Sequence, residues 1–271
     1  MPFQEIEGTK IYYEVKGDGR PIVFLHCWTG NRRFFYKQVE RFSKDYCCIT
    51  PDFPGHGDSD ECDEYSIEKF SRLTLGLLEK LGIERAVFAG HSLGGMVCLS
   101  IAIERPQIVE GLILLDTTPH LSGWFPQNVV AEVAVKLGRF GFRAGKALVA
   151  SAAATHPFAS LESRILTARE CSKVRNKPLV KTLDTVRKFD ATSHLSEIRQ
   201  PALIVVGTID MLADIRHARK MAKDMPDATL KIVRGAGHMA LFEKPEVVNK
   251  AIAEFLERFY PSGDSKLRKS A

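Results

Sequence analysis

Residues 86–95 carry the sequence Ala-Val-Phe-Ala-Gly-His-Ser-Leu-Gly-Gly, in which a short apolar run leads into the pattern Gly-x-Ser-x-Gly around Ser92. A helical pattern follows at once, which makes the serine the turn between a strand and a helix. Such a turn is tight, and only small neighbours such as Gly90 and Gly94 leave room for it. A helix beginning at Leu93 would direct its N-terminal amides at a developing oxyanion. The stretch therefore predicts Ser92 as a nucleophile at the end of a buried strand.

Short apolar runs with turn residues on both sides recur along the rest of the chain. Besides residues 86–89, they are Tyr46–Thr50, Gly111–Leu115, Ala202–Val206 and Thr229–Val233. They are almost continuously apolar, as strands covered on both faces are. Helical patterns alternate with them at residues 31–42, 66–81, 93–104, 214–224 and 245–259. This alternation predicts an α/β fold with a mostly parallel sheet and helices on both faces.

The first 25 residues have a different pattern. Apolar and polar residues alternate over residues 10–15, and a second strand-like run covers residues 21–25. The sequence Gly-Asp-Gly at residues 17–19 separates the two runs. Because such turn residues between strand-like runs are typical of hairpins, we expect these two strands to pair antiparallel.

Residues 117–194 interrupt the alternation of strands and helices. They contain no convincing strand, and helical spacing is clearest at residues 129–137 and 179–189. The segment carries 12 Lys and Arg against 5 Asp and Glu. Basic residues in such a segment most often lie on a solvated surface. The alternative interpretation is that their positive charge attracts an anionic ligand. We expect residues 117–194 to form a helical cap on a core made of residues 1–116 and 195–271.

A serine hydroxyl attacks a carbonyl efficiently only when a neighbouring base takes its proton. Among the eight histidines, His238 follows the strand predicted at residues 229–233 and ends the sequence Gly-Ala-Gly-His. Asp210 follows another predicted strand, and an acid there would orient the imidazole of the histidine. Asp116 and Asp214 are the competing acids. The chain order Ser…Asp…His favours Asp210.

The remaining candidate residues lie beside the nucleophile and in the loop after residue 25. A tetrahedral oxyanion needs two amide donors, and we expect the backbone N–H groups of Cys27 and Leu93 to supply them. We expect His26 to brace this loop and the Cys27 thiol to pack as a small apolar group. Residues 52–59, rich in Gly and Pro, are predicted to form a structural turn that shapes the site. The predicted substrate-pocket residues are Trp28, His91 and Met239.

Composition narrows the class of protein. The formal net charge is only +5 and no nucleic-acid-binding motif is present, so a nucleic-acid partner is not expected. No apolar stretch reaches the roughly 20 residues that span a bilayer, and the first residues lack the features of a secretory signal. None of the six cysteines forms a Cys-x-x-Cys pair, so a zinc site is not expected. We expect free thiols in a reducing cytoplasm, and neither a metal nor an organic cofactor.

Four stretches together resemble the α/β-hydrolase superfamily, in its serine-nucleophile branch. They are His26–Gly30, Asp52–Ser59, Gly90–Gly95 and Gly237–Pro245. The resemblance implies an eight-stranded sheet, a catalytic triad of Ser92, Asp210 and His238, and an active site between core and cap. It covers nearly the whole chain and is weak over residues 117–194. Cys27 stands where members of the superfamily usually have glycine.

The same resemblance narrows the reaction. Ser92 stands where haloalkane dehalogenases and epoxide hydrolases have an aspartate nucleophile. Carbon–carbon bond hydrolases usually have Asn at the position of His91, and perhydrolases often have proline at the position of Thr29. A hydrolase of small carboxylic esters or lactones, similar to carboxylesterases and enol-lactonases, therefore fits best. The alternatives are a cofactor-free perhydrolase or haloperoxidase, a carbon–carbon bond hydrolase and a small-molecule receptor, and the oligomeric state is left open.

Overall fold

A computed structural model describes residues 2–121, 133, 136, 155 and 159–259 of the chain. Its centre is an eight-stranded sheet with the strand order β1-β2-β4-β3-β5-β6-β7-β8. The strands are β1 Phe3–Ile6, β2 Thr9–Lys16, β3 Arg20–Leu25, β4 Tyr46–Pro51, β5 Ala86–His91, β6 Val109–Leu115, β7 Ala202–Gly207 and β8 Ala228–Val233. The β1–β2 and β2–β4 pairs are antiparallel, and the remaining pairs are parallel. The predicted mostly parallel, eight-stranded α/β fold is confirmed.

Helices cover both faces of this sheet. The described α-helices are α1 Tyr36–Phe42, α2 Ile67–Lys80, α3 Leu93–Glu104, α4 Leu161–Cys171, α5 Asn176–Lys188, α6 Ile215–Asp224, α7 Ala240–Glu243 and α8 Pro245–Glu257. Helices α2, α3 and α6 bury their apolar sides against one face, and α1 and α8 bury theirs against the other. None of the described helices combines the length and the apolar character that crossing a membrane requires.

Strand β3 shows why the central strands are apolar without interruption. Successive side chains of a strand point to opposite faces. Ile22 and Phe24 accordingly belong to the core on the α1 and α8 face, whereas Val23 and Leu25 belong to the core on the other face. All four side chains are fully buried, and burial of a side chain of this size contributes about 1.5–3 kcal/mol. The edge strand β8 differs, because Thr229 and Lys231 are exposed while Val233 is buried, so the expected burial of both faces is wrong at these two residues.

The predicted hairpin of β2 with β3 is also wrong. Strand β2 pairs with β1 and β4, whereas β3 lies between β4 and β5. The N-terminal hairpin is β1–β2, whose turn residues Glu7 and Gly8 have φ values of 47° and 75°, as in a two-residue type I′ turn. Gly17 has a φ of 82°, and a Cβ there would overlap the carbonyl oxygens of Ser43 and Tyr46. This glycine therefore allows a close backbone crossing, and the chain passes on to the centre of the sheet.

The predicted cap lies between β6 and β7 in the chain. Its helical pattern at residues 179–189 corresponds to α5, whereas the pattern at residues 129–137 falls mostly outside the described residues. Helix α4 contacts the core through the Ser163 hydroxyl, which donates to the carbonyl of Phe242 at 3.1 Å. The division of the chain into core and cap stays a prediction.

Candidate active site

Ser92 lies in a sharp turn between β5, which ends at His91, and α3, which begins at Leu93. Its φ of 54° and ψ of −114° lie in a region that L-residues rarely adopt. Such a backbone costs about 1–3 kcal/mol and persists only where the surroundings hold it. The Ser92 amide donates to the carbonyl of Leu115 at 3.0 Å, and the Ser92 carbonyl accepts from the hydroxyl of Thr117 at 2.7 Å. The end of β6 thus holds the strained turn in place.

Two glycines make room for this turn. A Cβ on Gly94 would overlap the carbonyl oxygen of Leu25 at the end of β3. A Cβ on Gly90 would overlap the backbone of Gly94 itself. A side chain at either position would push α3 away from the sheet, so the spacing Gly-x-Ser-x-Gly is a packing requirement of the turn.

The structure brings His238 and Asp210 together. His238 lies in the loop after β8, and its Nδ1 donates to Oδ2 of Asp210 at 2.9 Å, with both side chains buried. The other carboxylate oxygen of Asp210 accepts the amides of Leu212 and Ala213 at 2.7 and 2.8 Å. A carboxylate bonded in this way selects the imidazole tautomer in which Nε2 is the basic nitrogen.

The two competing aspartates have other partners. Asp116 is fully buried, and its two oxygens accept the amides of Gly207 and Ala240 at 2.9 and 3.1 Å. Asp214 caps the N-terminus of α6 by accepting the amide of Arg216 at 2.7 Å. Neither of these contacts involves the imidazole of His238.

The loop after β3 is held by its own backbone and by the side chain of His26. The Cys27 carbonyl accepts from the Gly30 amide at 3.0 Å and from Nδ1 of His26 at 2.8 Å. Nε2 of His26 accepts the Phe53 amide at 2.9 Å, so this histidine joins two loops and braces the first of them. The Cys27 side chain is only 5% exposed, and burial raises the pKa of its thiol. The cysteine therefore fits a packing role better than a reactive one.

The backbone N–H groups of Cys27 and Leu93 lie at one edge of the sheet, the first in the loop after β3 and the second at the start of α3. Leu25 and Gly90 are paired where β3 and β5 end, and each of the two amides follows one of these residues closely. The Leu93 amide lies in the first turn of α3, where N–H groups have no acceptor within the helix. The role of these two amides as oxyanion donors stays a prediction.

The three predicted pocket residues differ in their surroundings. Trp28 is half-buried at the border of the predicted cap, and its Nε1 donates to the carbonyl of Leu179 in α5 at 2.8 Å. His91 and Met239 are 0% and 1% exposed. Nε2 of His91 donates to the carbonyl of His238 at 2.7 Å, and Met239 packs in the core on the α1 and α8 face. Both side chains are therefore buried, and their role as pocket residues stays a prediction.

The turn at residues 52–59 supports the loop after β3. Asp52 is buried and accepts both the amide and Nη1 of Arg32, at 2.7 and 2.6 Å. Nε2 of His56 lies 2.8 Å from the carbonyl of Trp28. The predicted structural turn is therefore found, and it contacts the loop that carries Cys27.

Sequence reasoning missed the buried carboxylate of Glu170 in α4. It accepts from Nδ2 of Asn31 at 2.9 Å and pairs with Lys173 at 2.6 Å. Asn31 closes the loop after β3, so this contact ties α4 to that loop. No local signal marks Glu170, because its partner is 139 residues away in the chain.

Burial controls the charges around the site. Burial and the neighbouring His238 lower the pKa of His91 to about 3, so this histidine is neutral. Burial and the neighbouring Asp210 raise the pKa of Asp116 well above its ordinary value. Within the described ranges, no group of three or more His, Cys, Asp or Glu side chains is arranged to hold a metal ion.

Comparison with known proteins identifies the family and the fold. The model of a family described as alpha/beta hydrolase fold matches residues 20–245. The pimeloyl-[acyl-carrier protein] methyl ester esterase of Nitrosomonas europaea (strain ATCC 19718 / CIP 103999 / KCTC 2705 / NBRC 14298) is 25% identical over 255 residues. The match covers 87% of this chain and 95% of that protein.

Two solved structures have the same architecture over most of their length. Est816, described as an N-acyl homoserine lactone degrading enzyme, is 29% identical with a TM-score of 0.82, covering 94% of this chain and 100% of that chain. The enol-lactonase from Burkholderia xenovorans LB400 is 22% identical with a TM-score of 0.87, covering 94% and 99%. The latter identity supports the fold alone.

Proposed function

Because the chain belongs to the alpha/beta hydrolase fold family, we propose that it is a serine hydrolase that cleaves small carboxylic esters or lactones through an acyl-enzyme. The observation that carries this proposal is the hydrogen bond of 2.9 Å between His238 and Asp210, at the sheet edge where Ser92 occupies its strained turn. An imidazole oriented by a buried carboxylate is what activation of a serine hydroxyl requires.

In the first half of the reaction, the Ser92 hydroxyl attacks the carbonyl carbon of the substrate. Nε2 of His238 takes the hydroxyl proton, and Asp210 stabilises the imidazolium that results. The backbone N–H groups of Cys27 and Leu93 bind the oxyanion, each contributing roughly 3–4 kcal/mol to the lowering of the barrier. His238 then protonates the leaving oxygen, and the ester is left as an acyl group on Ser92.

In the second half, water replaces the leaving group. His238 removes a proton from the water molecule as it attacks the acyl carbonyl. A second tetrahedral oxyanion forms at the same two amides. Its collapse returns the proton to Ser92 and releases the acid, so the cycle consumes one water and requires no further reactant.

The substrate class is supported by the relatives. One is named a methyl ester esterase, and Est816, the more similar of the two structures described, is named a lactone-degrading enzyme. Esters and lactones share a carbonyl with an alkoxide leaving group, and the proposed mechanism acts on this shared group. A lactone differs only in that both products stay joined after ring opening.

The decisive experiment compares the wild-type protein with Ser92→Ala. We expect hydrolysis in a panel of p-nitrophenyl esters of rising chain length and several lactones, and covalent labelling of the wild-type protein by a fluorophosphonate. Ser92→Ala should lower turnover on the order of 10⁶-fold without changing the fold, because the serine belongs to a cooperating triad. Near-normal ester turnover by this variant would remove Ser92 from the mechanism.

The same panel, extended by two further assays, separates the alternatives. A small-molecule receptor predicts very slow turnover, whereas an enzyme predicts kcat in the ordinary range of about 1–10³ s⁻¹. Halogenation of a test substrate in the presence of peroxide and halide would indicate a perhydrolase or haloperoxidase. Cleavage of a carbon–carbon bond in a diketone without ester turnover would indicate the third alternative.

A further inference from the structure

His91 links the two reacting side chains of the proposed mechanism through the backbone. It directly precedes Ser92 in the chain, and its Nε2 donates to the carbonyl of His238 at 2.7 Å. The rings of His91 and His238 lie side by side, with centroids 5.0 Å apart. One peptide bond and one hydrogen bond therefore connect the nucleophile turn to the residue that carries the base.

The protonation state of His91 suits this link. The side chain is fully buried and its pKa of about 3 keeps the ring neutral, so the ring carries one N–H. Because Nε2 faces a carbonyl oxygen, the proton lies on Nε2. Nδ1 is then an acceptor, and it is among the buried atoms of the described chain that have no hydrogen-bond partner.

This unpaired acceptor indicates that stability alone does not account for His91. A buried polar atom without a partner is unfavourable, and a phenylalanine would fill a similar volume without one. The hydrogen bond from Nε2 to the His238 carbonyl is the contact that a phenylalanine could not make. A residue that lowers stability through an unpaired polar atom but makes a specific hydrogen bond is typical of a functional position.

A second buried group holds the other side of the same loop. Oδ2 of Asp116 accepts the amide of Ala240, two residues after His238, at 3.1 Å. His91, at the end of β5, thus bonds to the backbone of His238, and Asp116, directly after β6, bonds to the backbone of Ala240. The backbone of the loop after β8 is therefore held from β5 and from β6, whereas the imidazole of His238 is bonded to Asp210.

We propose that His91 is a positioning residue, whose hydrogen bond to the carbonyl of His238 sets the position of the imidazole relative to the Ser92 hydroxyl. The proposal rests on the proposed function, in which these two side chains exchange a proton. His91 touches no reacting atom and acts through the backbone of its neighbours. Displacement of about 1 Å between reacting groups lowers rates on the order of 100-fold.

The test compares His91→Phe with His91→Gln in the full chain. Phenylalanine keeps the volume of the ring and removes the donor, whereas the side-chain amide of glutamine can donate to the same carbonyl. For His91→Phe we expect kcat to fall about 10- to 100-fold with KM unchanged, and the rate constant of fluorophosphonate labelling to fall in parallel. His91→Gln should recover most of both rates. The melting temperature of either variant should stay within about 4 °C of the wild type.

Each other result has a definite meaning. The inference would be overturned if His91→Phe and the wild type had equal kcat values, counted per fluorophosphonate-labelled site. Equal losses in both variants would also overturn it, because glutamine keeps a donor to the same carbonyl. If the melting temperature fell in step with these losses, they would assign His91 to packing alone. A wild-type protein that neither hydrolyses the panel nor becomes labelled would overturn the proposed function instead.

Discussion

Two aspartates follow neighbouring strands of the sheet and have different partners. Asp116 comes directly after β6 and accepts the amides of Gly207 and Ala240 with its two oxygens. Asp210 comes three residues after the end of β7 and accepts Nδ1 of His238. Both carboxylates lie at the carboxyl edge, so location at this edge does not by itself select an acid. The path of the following loop decides which groups the carboxylate oxygens meet.

Asp116 joins the two loops that Asp210 and His238 occupy. Gly207 precedes the loop of Asp210, and Ala240 follows His238 by two residues. The φ of Asp116, 44°, is unusual for a residue other than glycine, which indicates that the surroundings of Asp116 hold it in place. We therefore assign Asp116 to the architecture of the site and propose Asp210 as the acid of the triad.

The largest expected effect that separates the two aspartates is on the rate of Asp210→Asn. The asparagine oxygen can still accept the amides of Leu212 and Ala213, so the loop keeps its form. Nδ1 of His238 loses its carboxylate, and we expect kcat for a p-nitrophenyl ester to fall about 10⁴-fold, as the loss of the correct tautomer predicts. Steady-state kinetics and the melting temperature measure the two effects. A kcat within tenfold of the wild type would mean that another group orients the histidine.

Asp116→Ala should affect stability first. Two buried amides lose their acceptor, and we expect the free energy of unfolding in urea to fall by about 2–4 kcal/mol. The kcat per labelled active site should fall far less than in Asp210→Asn. The reverse result, a 10⁴-fold loss of kcat with unchanged stability, would make Asp116 the acid of the triad.

The pH dependence of stability sharpens the assignment of Asp116. Burial and Asp210 raise the pKa of this carboxyl above its ordinary value of 3.8, so the unfolded chain releases the proton at lower pH than the native protein does. The contribution of Asp116 to the free energy of unfolding is therefore greatest at low pH and declines as pH rises above about 4. Asp116→Asn lacks this titration. The stability of the wild type relative to Asp116→Asn should decline from pH 4 towards neutrality, and a rising difference would contradict the raised pKa.

The smallest effect is expected for Trp28→Phe. The variant loses the hydrogen bond from Nε1 to the carbonyl of Leu179, a net contribution of about 1 kcal/mol. This bond ties the loop after β3 to α5, so we expect KM for bulky esters to rise a few-fold. A free-energy change of about 1 kcal/mol corresponds to a factor of this size. Acetate esters serve as the internal control and should keep their KM. An equal change for small and bulky esters would contradict a role of Trp28 at the border of the predicted cap.

Much of the fold could be predicted because its strands are local patterns. Each of the apolar runs quoted between residues 46 and 233 forms a strand, and the five helical patterns in the core segments fall on helices. The pairing of β2 with β4 instead of β3 could not be predicted. Partner choice depends on contacts between distant residues, and the Gly-Asp-Gly turn at residues 17–19 has the same composition whether the chain reverses or crosses.

The site was predictable in its chain positions and less so in its contacts. The sequence places Ser92, Asp210 and His238 after strands, and the structure brings the last two together. Chain order preferred Asp210 over Asp116, but only the structure gives Asp116 its own partners. His91 and Met239 were expected in a pocket wall, and only the structure shows that both side chains are buried and that His91 donates to the carbonyl of His238.

The amino-acid sequence by itself determined where strands end and where a serine stands in a turn that only glycines permit, since spacing and side-chain size act over a few residues. The tertiary structure alone decided which aspartate meets the imidazole and how His91 holds the loop of His238. Those contacts join segments 28 and 147 residues apart, and only packing against the rest of the sheet sets such distances.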